Sequence, residues 1–417
     1  MRFSTALRQP TRRRLERLGK ADIVIGIPCF NSETTIAHVI KTVEEGLHLH
    51  YADKKSVVFL ADGGSVDDTR EESDELIPSP WIERMITIYR GLPGKGSALR
   101  AIFEATSLLQ AKVCVLYDSD LQSITPDWVK NMVDAVLINS IDFVAPYYKR
   151  YKYDGTITNN IVYNLTRALY GYRVRQPIGG DFAFSLSLVQ KFISRDVWDT
   201  DVARFGIDIW LTTMAMVNKA NMAQVNLGVK IHDVKDPAEA LGPMFRQVVA
   251  TLLMLMEENE PIWKKVKGSE PVTIIGPDLK IEPKPFAINI GKLIDDFKIG
   301  YGNWKEIWAK IIAPENWRVI EKLVHTDGKN FTFDTEVWAM ILYDLAAAFH
   351  HWKGNRGLLV SLMTPLYFAR VASFVNHTIN MNNEEAEAAV EEQAEIFEAH
   401  KDYLIKRWNE PMVDYEL

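Results

Sequence analysis

Asp118-Ser119-Asp120 closes an apolar run of Val113, Cys114, Val115, Leu116 and Tyr117. Two carboxylates at the exit of a buried strand repel each other and lose hydration, so a cation, hydrogen bonds or solvent must offset them. A metal site is one reading of this pair and a solvated turn is the other. The same spelling recurs at Asp199-Thr200-Asp201, which follows no apolar strand and is expected to be a solvated turn. Open α/β sheets place ligands just beyond the carboxyl ends of their strands, and only the first copy has that position.

Other residues of chemical interest share it. Pro28-Cys29-Phe30-Asn31 with Glu33 follows one apolar run, and Asp62-Gly63-Gly64-Ser65 follows the next. Gly94-Lys95-Gly96 offers exposed amides and one cation at a helix start, an anion site in physical terms, or else a glycine-rich turn with a solvated lysine. It is not a Walker loop, because no Ser or Thr follows the lysine, and the G-x-G-x-x-G fingerprint of a dinucleotide fold is missing. The tyrosines and cations of 147–153 suit an anionic ligand or an edge strand. Ile178-Gly179-Gly180 lets the backbone pass close to something, with Asp181 beside it. Asp208 falls in a first helical turn, where it could also serve the helix dipole. His232 follows a strand and is a candidate metal ligand or a surface residue.

The elements that must hold these residues alternate. Near-continuous apolar strands are expected at 23–28, 56–61, 85–89, 113–117, 143–146 and 225–230, with amphipathic helices between them, so the sheet is α/β and mostly parallel. Asn31 or Ser32 is expected to cap the first of these helices, and Thr125 with Pro126 to open a later one. Residues 1–20 read as a basic, solvated arm and 21–260 as the catalytic domain. Residues 261–287, rich in Pro, Gly and Lys, read as a linker, and 288–417 as a largely helical region with a tryptophan-bearing core.

The chain has 417 residues, 48 Lys plus Arg against 55 Asp plus Glu, and a net charge of −7, which argues against a broad basic nucleic-acid face. Its two cysteines sit in apolar runs and point to no disulfide scaffold. Neither a signal-peptide pattern nor an uninterrupted membrane span is read, and a cytoplasmic location is expected.

In their order, the segments at Pro28–Glu33, Asp62–Ser65, Gly94–Gly96 and Asp118–Asp120, with the late His232, resemble the nucleotide-sugar-binding half of GT-A fold glycosyltransferases. Pro177-Ile178-Gly179-Gly180-Asp181, Phe205-Gly206-Ile207-Asp208 and Ile231-His232-Asp233 are more narrowly similar to the retaining enzymes that make glucosyl- or mannosylglycerate and glucosyl-3-phosphoglycerate. The resemblance covers 23–236 and reaches the helical region only loosely. It implies that Pro28, Glu33, Asp62 and Ser65 line the base and ribose of a UDP- or GDP-linked sugar and that Lys95 helps to hold the nucleotide. Asp118 would meet the ribose or sugar, Asp120 and His232 would ligate Mg²⁺ or Mn²⁺, and Asp208 would act near the reacting centre. Thr156, Gly179, Gly180 and Asp181 would face the acceptor. Such enzymes usually carry an arginine for the acceptor phosphate where this chain has Asp154-Gly155-Thr156, so free D-glycerate competes with 3-phosphoglycerate. The expected activity is metal-dependent, retaining transfer of glucose or mannose by a homodimer. The alternatives are an inverting transferase acting on a polyprenyl phosphate or polysaccharide, and a nucleotide-sugar-binding protein without turnover.

Overall fold

The structure, a computed structural model, describes residues 4–77, 79–231, 237–277 and 281–410, with backbone alone at 237–241. Its strands in chain order are β1 (Ile23–Cys29), β2 (Ser56–Asp62), β3 (Ile82–Ile88), β4 (Val113–Leu116), β5 (Phe143–Lys149), β6 (Tyr172–Arg173), β7 (Ala183–Ser185), β8 (Met222–Val229), β9 (Glu270–Pro271) and β10 (Ile274–Ile275). Eight of them form one sheet in the order β10-β8-β5-β7-β4-β1-β2-β3. Every pairing is parallel except those of β7, which runs antiparallel to both β4 and β5. β1, β2 and β4 are apolar and buried almost throughout, as strands covered on both faces must be.

The helices between them are α1 (Gln9–Leu18), α2 (Ile36–Tyr51), α3 (Thr69–Glu75), α4 (Lys95–Leu108), α5 (Pro126–Leu137), α6 (Tyr163–Tyr170), α7 (Leu186–Ile193) and α8 (Ile207–Val217). Ile36, Val39, Ile40, Val43 and Leu47 of α2 and Trp128, Val129, Met132 and Val133 of α5 pack with the inward side chains of the sheet. On the opposite face α4 lies close to β1, since a Cβ on Gly26 would fall 2.4 Å from the Ile102 side chain.

The basic N-terminal segment is docked, not the solvated arm that its charge suggests. Arg14 reaches Glu83 and the Arg84 carbonyl, Arg8 Nε donates to the Ile88 carbonyl at 2.7 Å, and Leu15 is fully buried. These contacts place α1 along β3, an edge strand whose unpaired backbone would otherwise be open to other strands. Arg8 and Arg14 are spent on β3's carboxylate and carbonyls, while Arg12 pairs with Glu16 of its own helix.

The chain divides into two compact units that interleave in sequence. The first comprises 1–149, 174–234 and 271–283, the second 150–173, 235–270 and 284–417. The expected single cut after residue 260 is therefore corrected. β10, inside the anticipated linker, adds to the first unit's sheet by pairing with Gln224 and Val225 of β8. α6 belongs to the second unit, where the buried Arg167 guanidinium binds Glu391 at 2.6 Å and Glu398 at 2.7 Å. That unit continues through α9 (Pro237–Glu258), α10 (Glu260–Trp263), α11 (Ile290–Ile311), α12 (Pro314–Leu323), α13 (Thr335–His351), α14 (Arg356–Thr378), α15 (Asn383–Ala399) and α16 (Lys401–Asn409). Among the described residues α14 alone is long and apolar enough to cross a membrane, and 72% of its apolar window is buried inside the protein. Packing around a core helix explains that apolarity.

Candidate active site

β4 and β7 create the centre of the site by running in opposite directions. β4 ends at Leu116, whose amide donates to the Phe182 carbonyl at 2.7 Å, so the residue before β7 meets the residues after β4. Asp181 Oδ1 accordingly accepts the Asp118 amide at 2.8 Å. Lys230, the first residue past β8, adds its ammonium to the same point, 3.0 Å from Asp118 Oδ2 and 2.9 Å from Asp181 Oδ2. It also donates to the Gly179 carbonyl at 3.0 Å, and the Tyr148 hydroxyl of β5 donates to Asp181 Oδ2. Gly180, at φ 91°, has no room for a side chain, since a Cβ would fall 2.3 Å from Asp118 Oδ2.

A second ammonium approaches from α4. Lys95 Nζ lies 2.8 Å from Asp118 Oδ1 and 3.2 Å from Asp208 Oδ2 in the first turn of α8. Three aspartates thus share two lysines. Burial disfavours the Asp118 anion, but Lys95 and Lys230 outweigh it and hold the carboxyl well below the usual range. Burial likewise opposes the Lys95 charge, and Asp118 and Asp208 outweigh it and hold the ammonium protonated. Asp208 goes the other way: burial pushes its carboxyl up, Lys95 offsets only part, and Asp118 adds repulsion. Its Oδ1 is buried without a hydrogen-bond partner, an acceptor that a hydroxyl-bearing ligand could satisfy.

The glycine-flanked lysine is not an open anion nest. The Gly94 amide donates to the Tyr89 hydroxyl at 3.0 Å and the Gly96 amide to the Arg204 carbonyl at 3.2 Å. A Cβ on Gly96 would fall 1.8 Å from the Val202 carbonyl oxygen. These glycines let the turn at 201–204 press on α4, and the second Asp-x-Asp copy is part of that turn, with Val202 and Ala203 buried.

The loops after β1 and β2 brace one another. Asp62 accepts the Gly64 amide and the Ser65 amide and hydroxyl, while Ser65 Oγ accepts the Asn31 amide at 3.0 Å. Glu33 is exposed and accepts the Asp68 amide at 3.1 Å, and Pro28 is half-buried at the end of β1. Asn31 and Ser32 do not cap α2, which Thr35 precedes directly. Asn31 Oδ1 instead takes the Val66 amide, and the Ser32 hydroxyl pairs with that of Ser119 at 2.8 Å.

Asp120 is half-buried in the loop after β4. His232 lies outside the described residues, but the chain leading to it is tied to that loop. The Gln122 amide donates to the Ile231 carbonyl at 2.9 Å, and the Ile231 amide to Ser123 Oγ at 2.9 Å. Thr156 belongs to the helical unit, 1% exposed, with its hydroxyl 2.6 Å from that of Tyr367. In the same unit Lys152 donates to the Thr378, Ile379 and Met381 carbonyls and Tyr151 packs on Tyr153 and Phe286, so this part of the aromatic and basic segment is engaged internally.

Sequence reasoning passed over Lys230, and it read Tyr148 as facing an anionic ligand or lying on an edge strand, whereas its hydroxyl holds Asp181. Both sit at ends of sheet strands, and a lysine directly after the apolar β8 was the available signal.

The fold is a mostly parallel α/β sheet with a carboxylate cluster past its strand ends, the edge at which open sheets of this kind place their ligands. The family described as glycosyl transferase family 2 matches residues 24–198. The glucosyl-3-phosphoglycerate synthase of Mycobacterium tuberculosis (strain ATCC 25618 / H37Rv) is 30% identical over 257 residues, 55% of this chain and 72% of the relative. That of Petrotoga mobilis (strain DSM 10674 / SJ95) is 24% identical over 254 residues, 57% of this chain and 75% of the relative. A crystal structure of the M. tuberculosis enzyme with Mn²⁺, UDP-glucose and phosphoglyceric acid is 27% identical, covering 61% of this chain and 87% of that one, at a TM-score of 0.45. The chain belongs to glycosyl transferase family 2 and is a glycosyltransferase.

Proposed function

We propose that the protein transfers glucose from UDP-glucose to the free hydroxyl of 3-phosphoglycerate, with retention at the anomeric carbon. The observation that carries this reading is the lysine–aspartate cluster at the ends of β4 and β8, in a chain 30% identical to a glucosyl-3-phosphoglycerate synthase. Asp118 and Asp208 supply fixed acceptors for sugar or acceptor hydroxyls, Lys95 keeps them in place, and the loops after β1 and β2 take the uridine. Gly179 and Gly180 would shape the acceptor's approach through their backbone; Asp181, fully buried with its oxygens taken by the Asp118 amide, the Tyr148 hydroxyl and Lys230, does not face the acceptor as the resemblance implied.

A divalent cation would bind beside Asp120, a half-buried carboxylate in the loop after β4. With no cluster of three His, Cys, Asp or Glu among the described residues, such an ion would draw most of its ligands from the donor diphosphate and water, as Mg²⁺ commonly does. Asp120 would hold it, with His232 the next residue in sequence after Ile231, and the ion would neutralise the departing diphosphate. We assign Asp118 and Asp208 to hydrogen bonding with hydroxyls, and none of the cluster to covalent attack. Front-face displacement, with a donor phosphate oxygen receiving the acceptor proton, is therefore our mechanism.

Free D-glycerate is a second acceptor reading, favoured by the sequence having Asp154-Gly155-Thr156 where such enzymes usually carry an arginine for the acceptor phosphate. The test is an assay of UDP-glucose and GDP-mannose against 3-phosphoglycerate and D-glycerate with Mg²⁺ or Mn²⁺, the product's anomer read by NMR. UDP-glucose with 3-phosphoglycerate should give the α-linked product. A β-linked product would rule out retention, and turnover with GDP-mannose alone would overturn the donor assignment.

A further inference from the structure

Lys230 is a buried lysine for which the transfer chemistry just described has no use. Its side chain is 5% exposed, and its ammonium joins four segments: Asp118 after β4, Gly179 and Asp181 before β7, Tyr148 of β5, and its own place after β8. Tyr148 takes part twice, donating its hydroxyl to Asp181 and presenting its ring 5.3 Å from Lys230 Nζ. A surface lysine held for solubility would show none of this. Long, flexible side chains lose substantial entropy when fixed, and a buried ammonium is tolerated only with strong partners.

The geometry points to Lys230 as a positioning residue for the donor-side carboxylate Asp118. Asp118 has two oxygens and two cations. Lys95 takes Oδ1 and is itself shared with Asp208, whereas Lys230 takes Oδ2 and is anchored to Asp181 and the Gly179 carbonyl. Lys230 is the partner fixed to the sheet, through β7 and β8, and so it sets the rotamer of Asp118. The missing side chain at Gly180 serves the same end by leaving Oδ2 the space to meet Lys230. The inference rests on Asp118 facing the donor, as proposed above. It adds that donor placement depends on a residue that does not touch the donor.

The test compares wild type with Lys230→Met, Lys230→Arg and the double variant Lys230→Met/Asp181→Asn. Melting temperature, kcat, KM for each substrate and donor affinity by titration calorimetry are measured. Lys230→Met alone takes the cation from the fully buried Asp181 and leaves Asp118 with Lys95 only, and is expected to melt lower. The added Asp181→Asn change keeps an oxygen for the Asp118 amide and an amide for the Tyr148 hydroxyl, and should restore most of the melting temperature. kcat/KM for the donor should stay about 10- to 100-fold down in that double variant, the scale of a misplaced reacting group, with KM for the acceptor within about twofold. Lys230→Arg should regain part of the donor-side loss. Recovery of kcat/KM together with melting temperature would overturn the proposal, as would a loss confined to the acceptor KM. If Lys230→Met does not fold, the double variant and Lys230→Arg carry the same comparison. Every value is a ratio to wild type with whichever nucleotide sugar it binds, so failure of UDP-glucose would sink the reading above and leave this test intact.

Discussion

Asp208 has the least settled environment of the cluster, because burial raises its carboxyl and Oδ1 has no partner. A hydrogen bond to an ionised group contributes about 1.5–3 kcal/mol, so Asp208→Asn should lower kcat about 10- to 100-fold. Its melting temperature should not fall, because the change removes a desolvated charge and leaves Lys95 paired with Asp118. A drop in melting temperature with unchanged kcat would make Asp208 structural. Lys401 is the opposite case, remote from the chemistry. Burial pushes its ammonium down to about 8 from 10.5, with Glu398 and Asp402 offsetting part, while it donates to the Val266 carbonyl at 2.7 Å. Between those values the unfolded chain holds the proton more tightly than the folded one, so this contribution grows as pH rises and is lost as pH falls through 8. The melting temperature of wild type minus that of Lys401→Met should therefore increase from pH 7.5 to 9.5. A gap independent of pH would contradict it.

At the scale of elements, the site depends on how closely α4 approaches the turn at 201–204. Gly96→Ala would put a methyl group 1.8 Å from a backbone oxygen, and backbone cannot swing aside as a flexible side chain can. Overpacking of this kind costs about 1–3 kcal/mol, and here it also tilts the first turn that carries Lys95. Denaturant titration should show that loss together with reduced turnover. Wild-type stability would mean that the turn yields freely. The elements themselves were largely legible. The apolar runs at β1, β2 and β4 and the caps at Thr125 and Pro126 read directly from spacing, whereas β3 begins earlier than its apolar residues suggest, at Ile82, because an edge strand alternates and hides its period. The antiparallel sense of β7 was not legible, since a three-residue strand carries no sign of its direction.

For the whole molecule, the two units have separate cores, and the second includes a fully buried Arg167 held by Glu391 and Glu398. Because Glu391 and Glu398 are partly exposed and can be hydrated once the arginine is gone, the loss should be about 1–3 kcal/mol, the scale of charged hydrogen bonds, and not that of a stranded buried charge. Arg167→Met should lower the unfolding transition of the helical unit, followed by limited proteolysis of fragments from 284–410. Unchanged proteolysis would show that the pair contributes little there. The interleaving of the units was hidden from sequence because α6 has an ordinary helical pattern, and its partners on α15 lie more than two hundred residues away.

The sequence by itself determined the alternation of strand and helix, the carboxylates at the strand ends and the family they resemble, because apolar periodicity and residue type are local properties. It also marked Asp118, Asp120, Lys95, Asp181 and Asp208 as separate candidates. Only the tertiary structure decided that four of these meet. β7 reverses direction to bring Asp181 to Asp118, α4 carries Lys95 across to Asp118 and Asp208, and β8 delivers Lys230, so that two ammonium groups hold three carboxylates together. Charge pairing at 3 Å is a property of positions in space, and residues 95, 118, 181, 208 and 230 acquire it only when the sheet closes.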